Sequence, residues 1–403
     1  MIKNKYCFPS IFFFLFFLFY YSKTSAQQFL AKPEFRGVWI ATVNNIDWPS
    51  NAKLSSEEQQ ESFKALLDMH KRNGINAVIV QVRPSADAFY PSTFEPWSQW
   101  LTGKQGKPPS PYYDPLEFMI REAHKRGMDF HAWMNPFRAV FNISTSILSP
   151  THISRIHPEW FITYGNQKYF DPANKEVHHY ITLLIKDIVK RYDIDAIHLD
   201  DYFYPYPIAG KAFPDYEMYK EYGNGMDRND WRRSNVDSII AKISRAIKEE
   251  NKKCLFGISP FGVWRNVSDD IDGSNTNTGI TNYDHLYADI LLWLKNDWID
   301  YVAPQLYWEF SFKRAPFDVL VDWWSTHSYG KKCYIGIGIY RAGSNGAWRD
   351  KTQIPKQIKK IRATPNIQGM IFYNSSYFEK NTNGWGDSLR LNYFKEYAPP
   401  GIK

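Results

Sequence analysis

The chain has 403 residues, a formal net charge of +7, and 17% aromatic residues, among them 15 Trp and 27 Tyr. Its positive charges are interspersed with negative ones and never run to five or six in a row, which argues against a nucleic-acid partner. Three cysteines without His/Cys spacing argue against a zinc site, and so many aromatics must line a surface as well as fill a core.

The first 26 residues read as a secretory leader. Lys3 and Lys5 open it, Ile11 to Tyr21 is a continuous apolar run, and Thr24-Ser25-Ala26 offers small residues at a cleavage point. The apolar run is shorter than the roughly 20 residues a membrane span needs, so no stable span is expected after cleavage. Lys3, Lys5 and Lys23 leave with the leader, which lowers the charge from +7 to +4. Residues 27–403 are then expected to form a single domain, exported to the periplasm or beyond the cell.

Strand and helix patterns alternate along that domain. Glu34 to Val43 reads as the first strand. A helix capped by Ser55 or Ser56 follows and closes near Gly74. Ala77 to Arg83 is the second strand, and Asp114-Pro115 with Glu117 starts a helix that stops at Gly127. Met128 to Asn135 is the third strand, followed by a helix from Asn174. Asp195 to Tyr202 is the fourth, followed by a helix capped at Ser234. Cys254 to Pro260 is the fifth, with a helix over Tyr283 to Leu294. Ile299 to Tyr307 is the sixth, with a helix from near Pro316. Cys333 to Tyr340 is the seventh, with a helix over Gln353 to Arg362. Ile367 to Asn374 is the eighth, with a last helix near Leu389 to Tyr397. Eight apolar strands, each followed by a helix, predict an α/β fold of the (β/α)8 TIM-barrel type. The surplus length falls in the loops after strands two to five, on the face where such barrels carry their chemistry. Cys254 and Cys333 open two of the strands, and a disulfide or two buried thiols both fit.

The fourth strand carries the strongest chemical signal. It runs His198-Leu-Asp-Asp-Tyr-Phe-Tyr-Pro205, an apolar strand that ends in adjacent carboxylates and then aromatics. Burying an ionised carboxylate is costly unless a partner or a reaction uses it. Acids reach a glycosidic oxygen and an anomeric carbon, while aromatic faces pack on the C–H surfaces of a sugar ring. Period-two alternation turns His198, Asp200 and Tyr202 to the barrel mouth together, with Asp201 toward the rim. Asp200 is the candidate nucleophile or base.

Glycoside hydrolysis takes a second carboxyl group as proton donor. On the sixth strand Gln305, Tyr307 and Glu309 share one face, and Glu309 among Tyr307, Trp308 and Phe310 suits a partly desolvated acid. Past the second strand lie Arg83, Asp87 and Glu95. Arg83 is placed to orient a catalytic carboxylate, to bind an acidic substrate group or to clamp Asp87, and Asp87 and Glu95 are further candidates for the acid. Asn135 at the end of the third strand, Trp264 after the fifth and Asn374 after the eighth complete the candidate sugar contacts, while His131 reads as a core histidine.

Several segments then resemble a known group. These are Glu34-Phe-Arg-Gly-Val-Trp39, Gln81 to Tyr90, Glu95-Pro-Trp-Ser98, His131-Ala-Trp-Met-Asn-Pro136, His157-Pro-Glu-Trp160, His198 to Pro205, Phe256 to Asn266 and Pro304-Gln-Leu-Tyr-Trp308. Together they resemble the glycosyl hydrolase-like 10 family of bacterial envelope proteins. The resemblance implies a (β/α)8 barrel and, for some members, peptidoglycan glycosidase activity on glycan strands stripped of their peptides. Asp195-Ala-Ile-His-Leu-Asp200 is also similar to the fourth strand of the α-amylase-type hydrolases, which implies a nucleophile at Asp200. The acid stays open among Glu309, Asp87, Glu95 and Asp201. The expectation is a glycosidase acting on a bacterial polysaccharide, with no cofactor. The alternatives are a non-catalytic carbohydrate-binding barrel and a polysaccharide deacetylase or esterase.

Overall fold

A closed parallel barrel organises the chain in the computed structural model, which describes residues 1–2 and 33–399. All described residues from Pro33 onward belong to one compact unit, whereas Met1 and Ile2 fall in a second unit, Met1–Ala31. The rest of the expected leader lies outside the described residues. Among the described residues no helix is long and apolar enough to cross a membrane.

Among the described residues, twelve strands appear in chain order. They are β1 (Phe35–Ile40), β2 (Ala77–Arg83), β3 (Asp129–Met134), β4 (Arg138–Val140), β5 (Phe161–Tyr164), β6 (Gln167–Phe170), β7 (Ala196–Leu199), β8 (Leu255–Ile258), β9 (Tyr301–Val302), β10 (Gln305–Leu306), β11 (Lys332–Gly338) and β12 (Gly369–Tyr373). The barrel runs β1–β2–β3–β7–β8–β9–β11–β12, and β12 pairs back onto β1. The expected sixth strand is split into β9 and β10 around Ala303-Pro304, because a proline has no N–H for the ladder. Strands β4, β6 and β5 form a separate antiparallel sheet inside the loop after β3. The sequence reading missed this sheet.

Several helix starts carry side-chain caps. Ser55 and Glu58 make a reciprocal capping box on Ser56–Arg72, Asp114 caps Pro115–His124, and Asn174 caps Lys175–Arg191. Three helices differ from expectation. Asp227, not Ser234, caps the Arg228–Glu250 helix, and the Ser234 hydroxyl instead donates back to the Trp231 carbonyl at 2.8 Å. The helix expected over Tyr283 to Leu294 is two short ones, Asn282–His285 and Ile290–Lys295, interrupted where Tyr287 takes φ +53°. The last helical residues run from Trp385 to Tyr393, one turn earlier than the pattern suggests. Cys254 and Cys333 are buried free thiols.

Packing divides into two layers. A large apolar cluster lies between strands and helices, and a smaller one, including Phe35, Trp39, Trp133, Tyr301 and Tyr334, fills the barrel itself. Across the barrel wall Trp133, His198, Gly257 and Tyr301 stand in register on β3, β7, β8 and β9. Gly257 is required there, since a Cβ would lie 1.9 Å from the Tyr301 ring. That ring carries a hydroxyl linking two histidines, at 2.8 Å from His198 Nδ1 and 2.8 Å from His131 Nδ1. Trp39 Nε1 donates to His198 Nε2 at 3.2 Å, so Nε2 is the bare nitrogen and Nδ1 carries the proton. His198 then donates to Tyr301, and Tyr301 donates to His131. Burial pushes His131 down to about 4 and His198 well below the ordinary histidine value, so this floor is uncharged.

Gly257→Ala should collapse this layer. Overpacking the floor is expected to cost about 3 kcal/mol, read as a lower thermal-unfolding midpoint. An unchanged midpoint would contradict the close Gly257–Tyr301 packing.

Candidate active site

The carboxyl end of β7 delivers Asp200 and Asp201 to the barrel mouth, and both are almost fully buried, at 4% and 5% exposure. Neither carboxyl group is bare. Asn135 Nδ2 donates to both oxygens of Asp200, at 3.0 and 3.1 Å, and Trp133 Nε1 donates to Oδ2 at 3.2 Å. The Tyr202 amide adds a longer bond at 3.4 Å. Burial raises the Asp200 pKa above the usual carboxylate value, although the Arg138 charge and the bonds from Asn135 and Trp133 oppose the rise.

Asp201 has a different setting. The Tyr206 hydroxyl donates to its Oδ2. Burial first, and then the charge of Asp200, push Asp201 up to about 7, against the opposing bonds from Tyr206 and Gln305. Two adjacent residues thus meet unlike surroundings: one carboxylate rests on three side-chain donor contacts, and the other group is poised to hold a proton near neutrality.

Asn135 is held from every side. Its amide N–H donates to the Arg83 carbonyl at 3.1 Å, and its own carbonyl accepts from Arg83 Nη1. Its side-chain oxygen accepts from the Arg138 amide at 2.6 Å. That last bond fixes which end of the amide faces Asp200, because the oxygen is already committed to a donor. The sequence reading gave Asn135 to sugar hydroxyls; the structure spends its side chain on Asp200 instead.

Other expected site residues also have partners within the protein. Arg83 forms a two-pronged ion pair with Glu95, including Nε to Oε2 at 2.8 Å, with both side chains essentially inaccessible. Burial works against the Arg83 charge, and Glu95 more than offsets it, leaving the pKa raised. Arg83 therefore pairs with Glu95 and not with Asp87, and neither member of the pair is exposed to a ligand. Asp87 is buried in the loop after β2, where it accepts from the Ser85 amide at 3.2 Å and from Gln105 Nε2 at 3.4 Å. Burial pushes it up to about 7. His198 belongs to the barrel floor described above. Trp264 is buried at 6% exposure, stacked with Trp323 at 6.2 Å and edge-on to Tyr283, and forms wall rather than platform. Asn374 is buried and accepts from the Ser376 hydroxyl at 3.0 Å. Glu309 lies half-buried past β10, and its Oε2 accepts from Trp348 Nε1 at 2.8 Å. Among the described contacts none joins Glu309 to either aspartate.

Half-buried aromatics remain at the mouth. Tyr202 lies edge-on to Tyr206 at 5.5 Å, with the Arg138 guanidinium 5.6 Å from its ring centre. Tyr307 stacks on Tyr373 at 5.6 Å, and Tyr340 stands perpendicular to both. Trp308 meets Phe261 edge-on at 5.4 Å, and Gln305 donates to the Ser259 carbonyl at 2.8 Å. The sequence reading missed Trp133, Arg138 and Tyr206 as parts of the site. Trp133 was within reach, since it stands two residues before Asn135 at the end of β3. Arg138 gave no signal, because its approach depends on the small β4–β6 sheet.

The barrel is shared with known glycoside hydrolases. The glycoside hydrolase domain of PgaB (BpsB) from Bordetella bronchiseptica superposes with a TM-score of 0.56 at 12% identity, covering 89% of this chain and 98% of that domain. The α-L-fucosidase isoenzyme 2 of Paenibacillus thiaminolyticus gives 0.52 at 10% identity, covering 88% of this chain and 49% of the other. These likenesses concern the fold. In sequence, the glycosyl hydrolase YngK of Bacillus subtilis (strain 168) is 47% identical over 372 residues, which is 91% of this chain and 72% of that one. The glycosyl hydrolase DigH of Escherichia coli (strain K12) is 39% identical over 385 residues, covering 89% and 87% of the two chains. The model of the glycosyl hydrolase-like 10 family matches residues 34–353, and the chain belongs to that family.

Proposed function

We propose that this protein is an exported glycoside hydrolase that cleaves a bacterial polysaccharide, peptide-free peptidoglycan strands first. The observation that carries the reading is the pair of adjacent buried acids in unlike environments. Asp200 accepts from Asn135 and Trp133, which favours its ionised form, and acts as nucleophile or base at the anomeric carbon. Asp201, raised to about 7, donates the proton to the departing glycosidic oxygen. The half-buried Tyr202, Gln305, Tyr307 and Trp308 supply aromatic faces and an amide for sugar rings. Family membership supports the glycan as substrate, and the leader-like first 26 residues support export. No cofactor is needed for this chemistry.

Three outcomes test the reading. With peptide-free glycan strands, Asp200→Asn should retain binding and lose product formation by about a thousandfold. Glycan binding without product from wild-type and variant alike would instead leave a carbohydrate-binding barrel, and turnover unchanged in the variant would leave a different reaction. Mass spectrometry separates the latter, since loss of acetyl groups without chain shortening indicates a deacetylase.

The pH profile checks the assignment of the acid. A donor must start protonated, so turnover should fall as pH rises through about 7. Tyr206 stabilises the charged form of Asp201. Tyr206→Phe should therefore raise that pKa and move the alkaline limb upward. A limb that stays fixed in the variant removes Asp201 from the role.

Export is read separately, by sequencing the amino terminus of protein secreted from a bacterial host. Gln27 is the expected first residue, and an intact Met1 would exclude cleavage.

A further inference from the structure

The Arg83–Glu95 pair is a buried ion pair that joins the end of β2 to the loop that follows it. Such pairs are weak evidence for stability, because removing two charges from water offsets most of their attraction. The geometry of this one points outward from the pair itself. Glu95 takes two nitrogens of the guanidinium, and the third, Nη1, reaches the Asn135 carbonyl and, at 3.3 Å, that of Pro136. The Arg83 carbonyl returns a bond to the Asn135 amide at 3.1 Å. Arg83 therefore grips the backbone of Asn135, whose side chain touches both oxygens of Asp200. Glu95 is held in turn by the Tyr180 hydroxyl, which lies 3.3 Å from its Oε1.

We propose that Arg83 and Glu95 are positioning residues that act on Asp200 through Asn135. This rests on the reading of Asp200 as the reacting carboxylate. The planar fork of the guanidinium holds Glu95 and the Asn135 carbonyl at fixed angles, which a lysine ammonium cannot do at both sites at once. Fixing Asn135 keeps its amide on Asp200, and that amide favours the ionised carboxylate. Loosening the grip weakens those bonds, so the Asp200 pKa rises and the carboxylate loses its aim.

Arg83→Lys in the full-length protein tests this with a peptide-free glycan substrate. kcat should fall on the order of tenfold to a hundredfold, the range for a small misplacement of a reacting group. KM should stay near the wild-type value, and the acid limb of kcat/KM should move to higher pH. If the effect passes through Asn135, the same change in an Asn135→Ala background should add little. Should Arg83→Lys fail to fold, Tyr180→Phe removes one support of Glu95 and should shift the acid limb in the same direction by less.

A purely structural pair would lower the unfolding midpoint and leave kcat per folded molecule and the acid limb unchanged. That result, or full additivity with Asn135→Ala, overturns the proposal. So does an unshifted acid limb in Tyr180→Phe when Arg83→Lys does not fold. Failure of the hydrolase reading is distinct, because then wild-type protein yields no shortened glycans or Asp200→Asn cleaves as well as wild type.

Discussion

Asp200 is an almost fully buried carboxyl group, and the organisation of the barrel mouth follows from keeping it there. An ionised carboxylate loses most of its hydration on burial and must recover it as hydrogen bonds from the protein. Here the donors come from β3 and the turn after it: the Trp133 indole and the Asn135 amide. Because Asn135 also accepts from Arg138 and is gripped by Arg83, the bonds to Asp200 have a fixed direction. Preorganised donors of this kind need no reorganisation when charge changes nearby. Asp201 then titrates beside a charge that is already in place, which helps to lift it toward neutrality.

The floor below the aspartates has the complementary property. His131, His198 and Tyr301 lie within the barrel and are joined in one hydrogen-bonded string, and both imidazoles are held neutral. A cation in the barrel would favour the charged form of a nearby carboxylate. A neutral polar floor leaves the carboxylate to the donors beside it. The arrangement depends on Gly257, where the absence of a side chain makes room for the Tyr301 ring.

The long loops divide the work at the rim. The loop after β3 folds into its own small sheet and sends Arg138 toward Asp200 and Tyr202. The loop after β7 returns Tyr206 onto Asp201. Tyr307, Tyr340 and Tyr373, from the ends of three neighbouring barrel segments, make a half-exposed aromatic wall. Packing three phenols edge and face against one another holds them rigid without burying them, which suits a surface that meets sugar rings.

Much of this was legible in the chain itself. Apolar runs alternating with capped helical patterns determined the barrel, as the caps at Ser55, Asp114 and Asn174 illustrate, because caps and periodicity are local properties. The same locality placed Asp200 and Asp201 at a strand end. Partners across the barrel were not legible. Arg83 chose Glu95 over Asp87, Asn135 turned to Asp200, Glu309 went to Trp348, and His198 sank into the floor. Each of these depends on which strands and loops become neighbours, and on how deep a side chain lies after closure. Local spacing tells which face a residue occupies. Only the tertiary structure decided whether that face meets solvent, a donor or another charge.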